Sequence, residues 1–254
     1  MRCGARWNGF GPTDMSRVAI VAALEREVRP LVKHWRVTEK QYSGRSFRFF
    51  ESGDAVVVCG GIGAEAARRA AEAVIVLYQP GIIYSAGYAG ALDPAIGIGQ
   101  VMRPARVIHV GDGSSASIAR GDGVLVTAAS VASPAQKQKL RESFGAQAVD
   151  MEASAVARAA EARGVEFAAI KAISDEFEFE LPKTERFVDA HGRFLEARFA
   201  LFVAVRPWLW LRVIVLARNS RRATRALCDE LQRLTSQENS AAATALAPFR
   251  KEAR

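Results

Sequence analysis

Cysteine and histidine are scarce in this chain, with three of each among 254 residues. Cys3, Cys59 and Cys228 lie far apart, are odd in number and form no CxxC pair. With only His34, His109 and His191 beside them, neither a structural zinc centre nor a disulfide framework is expected, and a reducing cytoplasm is the natural setting. No metal and no cofactor is called for. Residues 1–14 lack the apolar core of a secretory signal. Met15-Ser16-Arg17 immediately precedes the first strand-like run, so Met15 is the expected true start and residues 1–16 an expected disordered extension. The longest apolar stretch, Phe199 to Leu216, is interrupted by Arg206, Pro207 and Arg212, which argues against a spanning helix. There is no internal repeat. The only low-complexity stretch is the Ala-rich end after Ser240, which marks 236–254 as an expected flexible tail.

Half of the residues are apolar, which suits one compact domain, expected over 17–235. The net charge is +8, and its excess is densest after Arg206, at Arg212, Arg218, Arg221, Arg222 and Arg225. A solvated basic helix face accounts for such a run, and so does an acidic partner or membrane surface. Charge alone would support a nucleic-acid partner. No aromatic-plus-basic stripe accompanies it, so none is expected.

Val18 to Leu24 is a continuous apolar run, the mark of a strand buried on both faces. A helix is predicted from Glu25 through Trp35. Strands over 46–51 and 54–59 are joined by a Ser52-Gly53 turn. Gly60-Gly61-Ile62-Gly63 opens an Ala-rich helix that Pro80-Gly81 halts after Tyr78. Ile82 to Ala86 is a further strand, entering a glycine-bearing loop, Gly87-Tyr88-Ala89-Gly90. Strands are predicted near 100–110 and 123–127, then a helix starting at Ser133-Pro134. Residues 185–235 read as helical, broken at Arg206-Pro207. Alternating strands and helices over some 160 residues predict an α/β three-layer sandwich, a central mixed β-sheet flanked by helices, with a helical C-terminal extension.

The stretch from Val149 to Asp175 carries three acids at positions a packed core would not choose. Asp150 and Glu152 follow one short apolar strand. Asp175 follows another, after Ser174, with a helix ending at Arg163-Gly164 between them. Ligands of α/β sheets sit at the carboxyl ends of strands, so Glu152 and Asp175 are placed like site residues.

Four segments in order carry a resemblance: Ala23-Leu24-Glu25-Arg26-Glu27, Gly60-Gly61-Ile62-Gly63, Ser85-Ala86-Gly87-Tyr88-Ala89-Gly90-Ala91-Leu92, and Val149-Asp150-Met151-Glu152-Ala153 with Ala172-Ile173-Ser174-Asp175. Over residues 17–177 the chain resembles the nucleoside phosphorylase superfamily, and within it the methylthioadenosine/S-adenosylhomocysteine nucleosidases. The resemblance implies that Glu27 activates a water and that Gly61, Ile62 and Gly63 lie near the ribose, or near phosphate in true phosphorylases. It places Ala86 and Gly87 in a loop beside base and ribose, packs Met151 on the sugar, and has Glu152 grip the ribose hydroxyls. Asp175, after Ser174, is implied to protonate the purine N7. A small-molecule nucleoside substrate and a homodimer are implied as well.

The chemistry needs these residue types. Breaking an N-glycosidic bond passes through an oxocarbenium-like cation, which a carboxylate near the ribose stabilises. Adenine leaves readily only when N7 is protonated, which needs an acid. A phosphorylase must instead hold a dianion, and many relatives carry Gly-Asp-Pro-x-Arg after the first strand. Here the loop is Ala-Leu-Glu-Arg-Glu, and an acid at Glu27 repels phosphate and suits water. Hydrolysis is expected, with phosphorolysis as the alternative.

Two departures from the nucleosidases concern the pocket. The linker Gly111-Asp112-Gly113-Ser114-Ser115 replaces a longer excursion, and Ala129-Ser130-Val131-Ala132 lacks the aromatic residue expected to stack on the base. Lys171 stands where those relatives have Arg. The compact middle and the Arg-Pro-bearing helical end are similar to the hopanoid-associated branch, which is implied to remove adenine from the membrane lipid adenosylhopane. Tryptophans and arginines in 199–216 suit an interfacial helix and a peripheral membrane contact; a helix pair packed on the sheet or in a dimer interface suits them also.

Overall fold

The structure is a computed structural model and describes residues 17–180, 185–189 and 192–246. Its centre is β1 (Val18–Ala22), buried along its whole length. β1 runs parallel to β4 (Ala55–Cys59) on one side and to β5 (Ile82–Ala91) on the other. β2 (Arg36–Tyr42) and β3 (Arg45–Ser52) extend the sheet antiparallel beyond β4.

On its other side β5 changes partner part-way. It pairs in parallel with β11 (Glu166–Asp175) and then, at Gly90 and Ala91, antiparallel with β10 (Ala148–Asp150). The β11 ladder slips between Ile173 and Asp175 at this fork. From β10 the sheet continues through β9 (Val124–Thr127), β7 (Arg106–His109) and β8 (Ser115–Ser117), while β6 (Val101–Met102) lies on β11. The fork matters because it brings the ends of β10 and β11, with their acids, to one place.

Helices cover both faces, giving the expected three layers around a mixed sheet. α2 (Ala64–Tyr78) and α4 (Ala153–Glu161) pack on one face with alanines, which allow close approach. α1 (Glu25–Val32) and α6 (Pro207–Leu246) pack on the other through Val28, Val32, Ala223, Leu227 and Leu231. α3 (Pro134–Phe144) starts with a capping box, Gln136 and Ser133 each accepting the other's backbone N–H. α5 (Glu196–Ala204) precedes α6, and the two meet at the expected Arg206-Pro207 break.

Several sequence expectations shift. The helix read through Trp35 ends at Val32, and the next residues form β2, an edge strand whose polar, partly exposed side chains carry no core signal. The strand read over 100–110 is two, β6 and β7, with Pro104 between them. The linker after His109 includes the short strand β8, paired with β7. Gly87 to Gly90 are not a loop: β5 runs straight through them to Ala91. The helical stretch read from 185 begins as a 3-10 turn at Glu185–Phe187, and α6 continues past 235 to Leu246. The segments 1–16 and 247–254 lie outside the described residues, so the division at 16 and 235 stands as a proposal. Among the described residues no helix is long and apolar enough to cross a membrane.

Candidate active site

A cavity of about 590 Å³ opens above the fork of the sheet. Glu27, Ile62, Met151, Glu152, Ser174 and Asp175 all line it. The other predicted site residues stand behind this lining. Gly63 donates its backbone N–H to Glu152 Oε1 at 2.8 Å. Gly61 lies in a neighbouring cavity beside Arg26 and Gly60. Ala86 is core, packed with Ile20 and Ile170. Gly87 backs Glu27.

β5 explains why glycine is needed at two of these positions. A Cβ at Gly87, whose φ is +156°, would stand 3.0 Å from Glu27 Oε2. A Cβ at Gly90 would stand 2.7 Å from Asp175 Oδ2. Each acid thus rests its carboxylate on a bare Cα of the same strand, and the glycines that read as a loop are contact points.

Glu27 is in the first turn of α1 yet only 4% exposed. Its Oε2 is the one buried side-chain polar atom without a hydrogen-bond partner among the described residues. Burial, aided by the charge of Glu152, pushes its carboxyl up to about 8, against the opposing pull of Lys171 and Arg26. Burial and Asp150 likewise raise Glu152, which also accepts the Met151 N–H at 3.3 Å.

Asp150 has a different task. Its carboxylate accepts from Thr127 Oγ1 at 2.7 Å, from the Ala153 N–H at 2.8 Å, and from Lys171 Nζ at 2.8 Å. It ties β9 and β11 to the start of α4, so it fixes the loop that presents Met151 and Glu152. Lys171 also reaches Ser85 Oγ at 3.1 Å. Burial opposes its charge, but Asp150, Glu152 and Glu27 together hold the ammonium above its ordinary value. Three carboxyl groups thus face one lysine, and each one that ionises adds negative charge that favours a cation at the centre.

Asp175 is buried and doubly held: Lys137 Nζ lies 2.6 Å from Oδ2, and Ser174 Oγ donates to Oδ1 at 2.8 Å. Lys137 was not singled out from the sequence. α3 is mostly polar, and nothing in PAQKQKLRESF separates Lys137 from the exposed Lys139. Ser130, Val131 and Ala132, where an aromatic residue is missing, do line the cavity. Its outer wall comes from Phe194, Phe199 and one face of α6, including Val213, Leu216 and Thr224. Arg26 lies over the Phe194 ring and 3.7 Å from Glu196.

The phosphorylase superfamily model matches residues 17–129 and 120–205, most of the chain. This chain belongs to the phosphorylase superfamily. Solved structures with the same fold include a 5'-methylthioadenosine/S-adenosylhomocysteine nucleosidase from Neisseria meningitidis in complex with methylthio-immucillin-A. It is 17% identical, with a TM-score of 0.62, over 89% of this chain and 98% of that one. The corresponding nucleosidase from Colwellia psychrerythraea, in complex with adenine, is 21% identical over 64% of this chain and 84% of that one, with a TM-score of 0.56. Futalosine hydrolase of Helicobacter pylori is 18% identical over 63% and 87%, also with a TM-score of 0.56. No curated protein matches.

Proposed function

We propose that this protein is a nucleosidase that hydrolyses the N-glycosidic bond of an adenosine-type nucleoside and releases adenine. One observation carries the reading. Glu27 and Asp175 enter the same cavity and rest on Gly87 and Gly90 of β5. Those backbone points are three residues apart, about 10 Å along an extended strand. Two carboxyls set apart in this way leave room for a sugar and a water between them, as inversion by direct water attack requires.

In this reading Asp175 serves the purine N7 and Glu152 the ribose hydroxyls. Glu27 takes the proton of the attacking water, and its burial brings it into the range where a base works near neutral pH. The negative site stabilises the oxocarbenium-like ribosyl. Water is favoured over phosphate because the groups a dianion would use are committed elsewhere. The Gly63 N–H is given to Glu152, and Arg26 is engaged with Glu196 and Phe194.

The finer part of the proposal concerns the 5' side. The cavity's outer wall is largely apolar, and the far side of α6, together with α5, exposes Leu201, Val205, Trp208 (71% exposed) and Leu211 (76% exposed) beside Arg212 and Arg218. This suits an adenosyl-lipid such as adenosylhopane and a peripheral contact with the cytoplasmic membrane surface. The homodimer implied by the resemblance belongs to the same proposal and is read by light scattering.

The test is incubation with adenosine, methylthioadenosine and an adenosyl-lipid extract, with and without phosphate. Free adenine and free ribose without phosphate are expected. Ribose 1-phosphate formed only with phosphate would make the enzyme a phosphorylase. Equal rates on lipid-linked and methylthio substrates would remove the lipid from the proposal.

A further inference from the structure

The proton that a departing adenine requires has no evident place on Asp175 itself. The carboxylate accepts from an ammonium on Oδ2 and from the Ser174 hydroxyl on Oδ1. So held, both oxygens accept, and a carboxyl group that only accepts has nothing to donate to N7. The nearest proton is on Lys137, which is 1% exposed, lines the same cavity, and points inward from the second turn of α3. Lys137 also donates to the Glu176 carbonyl at 2.6 Å. That second bond needs only an N–H, so it holds the amine in place after the ammonium has given a proton away.

We propose that Lys137 is the proton reservoir for the leaving purine, acting through Asp175, which relays the proton to N7. This rests on the assignment of Asp175 as the N7 acid. The pair starts as ammonium and carboxylate. One proton passes from Lys137 Nζ to Asp175, giving a neutral amine and a neutral acid. Keeping two charges in a dry site is costly, so the neutral pair is closer in energy here than in water, and a buried lysine yields its proton where arginine does not. As the C1'–N9 bond breaks, its electron pair stays on the purine and the Asp175 proton moves to N7, so adenine leaves neutral. Water bonds to C1' and gives one proton to Glu27. Solvent then takes that proton and returns one to Lys137, restoring the pair.

A purely structural ion pair makes a different prediction, and two substrates separate them. Adenosine needs a protonated leaving group; 4-nitrophenyl riboside does not, because 4-nitrophenolate leaves as an anion. The experiment measures kcat on both for the wild type, Lys137→Met, Lys137→Arg and Asp175→Asn. Lys137→Arg preserves a cation beside Asp175 but withholds its proton. The expected result is that both Lys137 variants lose on the order of 10²-fold or more on adenosine, the scale of a general acid, and lose far less on the nitrophenyl substrate. Equal losses on both substrates would reduce Lys137 to a structural residue and overturn the proposal. Recovery of adenosine turnover in Lys137→Arg would overturn it too, since charge alone would then suffice. If Asp175→Asn releases adenine as fast as the wild type, the assignment of Asp175 fails instead. If Asp175→Asn is slow and Lys137→Met is not, only the lysine's role falls.

Discussion

Glu27 should make the protein less stable as the pH rises, and its replacement by Gln should remove that effect. The carboxyl is raised from 4.5 to about 8, chiefly by burial. Between those values the folded chain keeps a proton that the unfolded chain has lost. The sign follows: the contribution is fully present below pH 4.5 and disappears as the pH passes through about 8. Within the window each pH unit removes about 1.4 kcal/mol, so from about pH 5.5 to about pH 7.5 the wild type loses about 3 kcal/mol through this group alone. Titrating groups away from the site affect both proteins alike and cancel in the difference, while Glu152 and Lys171, which Glu27 touches electrostatically, leave a smaller remainder. Urea denaturation at several pH values measures it. The stability of Glu27→Gln relative to the wild type should climb by about that amount across the window and level off above about pH 8. Parallel curves would mean that Glu27 is ionised in the folded state, and the buried, unpartnered Oε2 would need another account. The same titration predicts that kcat/KM of the wild type rises with pH towards about 8, as the base becomes available.

Glu152→Gln should leave the fold intact and weaken kcat/KM for adenosine by about 10-fold to 100-fold, the loss of a charged hydrogen bond. The penalty for using 2'-deoxyadenosine instead should shrink sharply in that variant, and an unchanged penalty would remove Glu152 from the ribose. Gly90→Ala would put a Cβ 2.7 Å from Asp175 Oδ2, so adenine release should fall while the melting temperature changes little; full activity would show that the carboxylate does not work from this position. Lys171→Met leaves Asp150 buried without its cation and should destabilise the chain by about 3 to 5 kcal/mol in denaturant unfolding. A loss below about 1 kcal/mol, the scale of an exposed pair, would contradict the buried geometry.

The strands with continuous apolar runs, β1, β4 and the first half of β5, were legible because burial on both faces leaves no other composition. β2 was not, since an edge strand of polar residues gives the sequence no reason to prefer it to a helix end. The acids Glu27, Glu152 and Asp175 could be read as site candidates from their strand ends and the motifs around them. Their setting could not. That Glu27 is buried with its Oε2 unpartnered depends on β5 lying against it and on α6 packing beside α1. That Asp150 is a tie and not a reactant depends on Thr127 and Lys171, from distant strands. Gly87 and Gly90 gave a true signal of an unusual backbone demand, but the demand is close approach of carboxylates to an extended strand, which sequence cannot distinguish from a turn. Lys137 was hidden for the same reason in reverse: a lysine in a polar helix looks solvated until the fold turns it inward.

The central claim is that water, and not phosphate, takes the ribosyl group from adenine in this site. Reaction of adenosine in ¹⁸O-labelled water with phosphate present tests it most directly, read by mass spectrometry of the sugar product under rapid quench. Free ribose carrying one ¹⁸O at C1, formed at a rate independent of phosphate, is the predicted result. Unlabelled ribose 1-phosphate as the first product would contradict it.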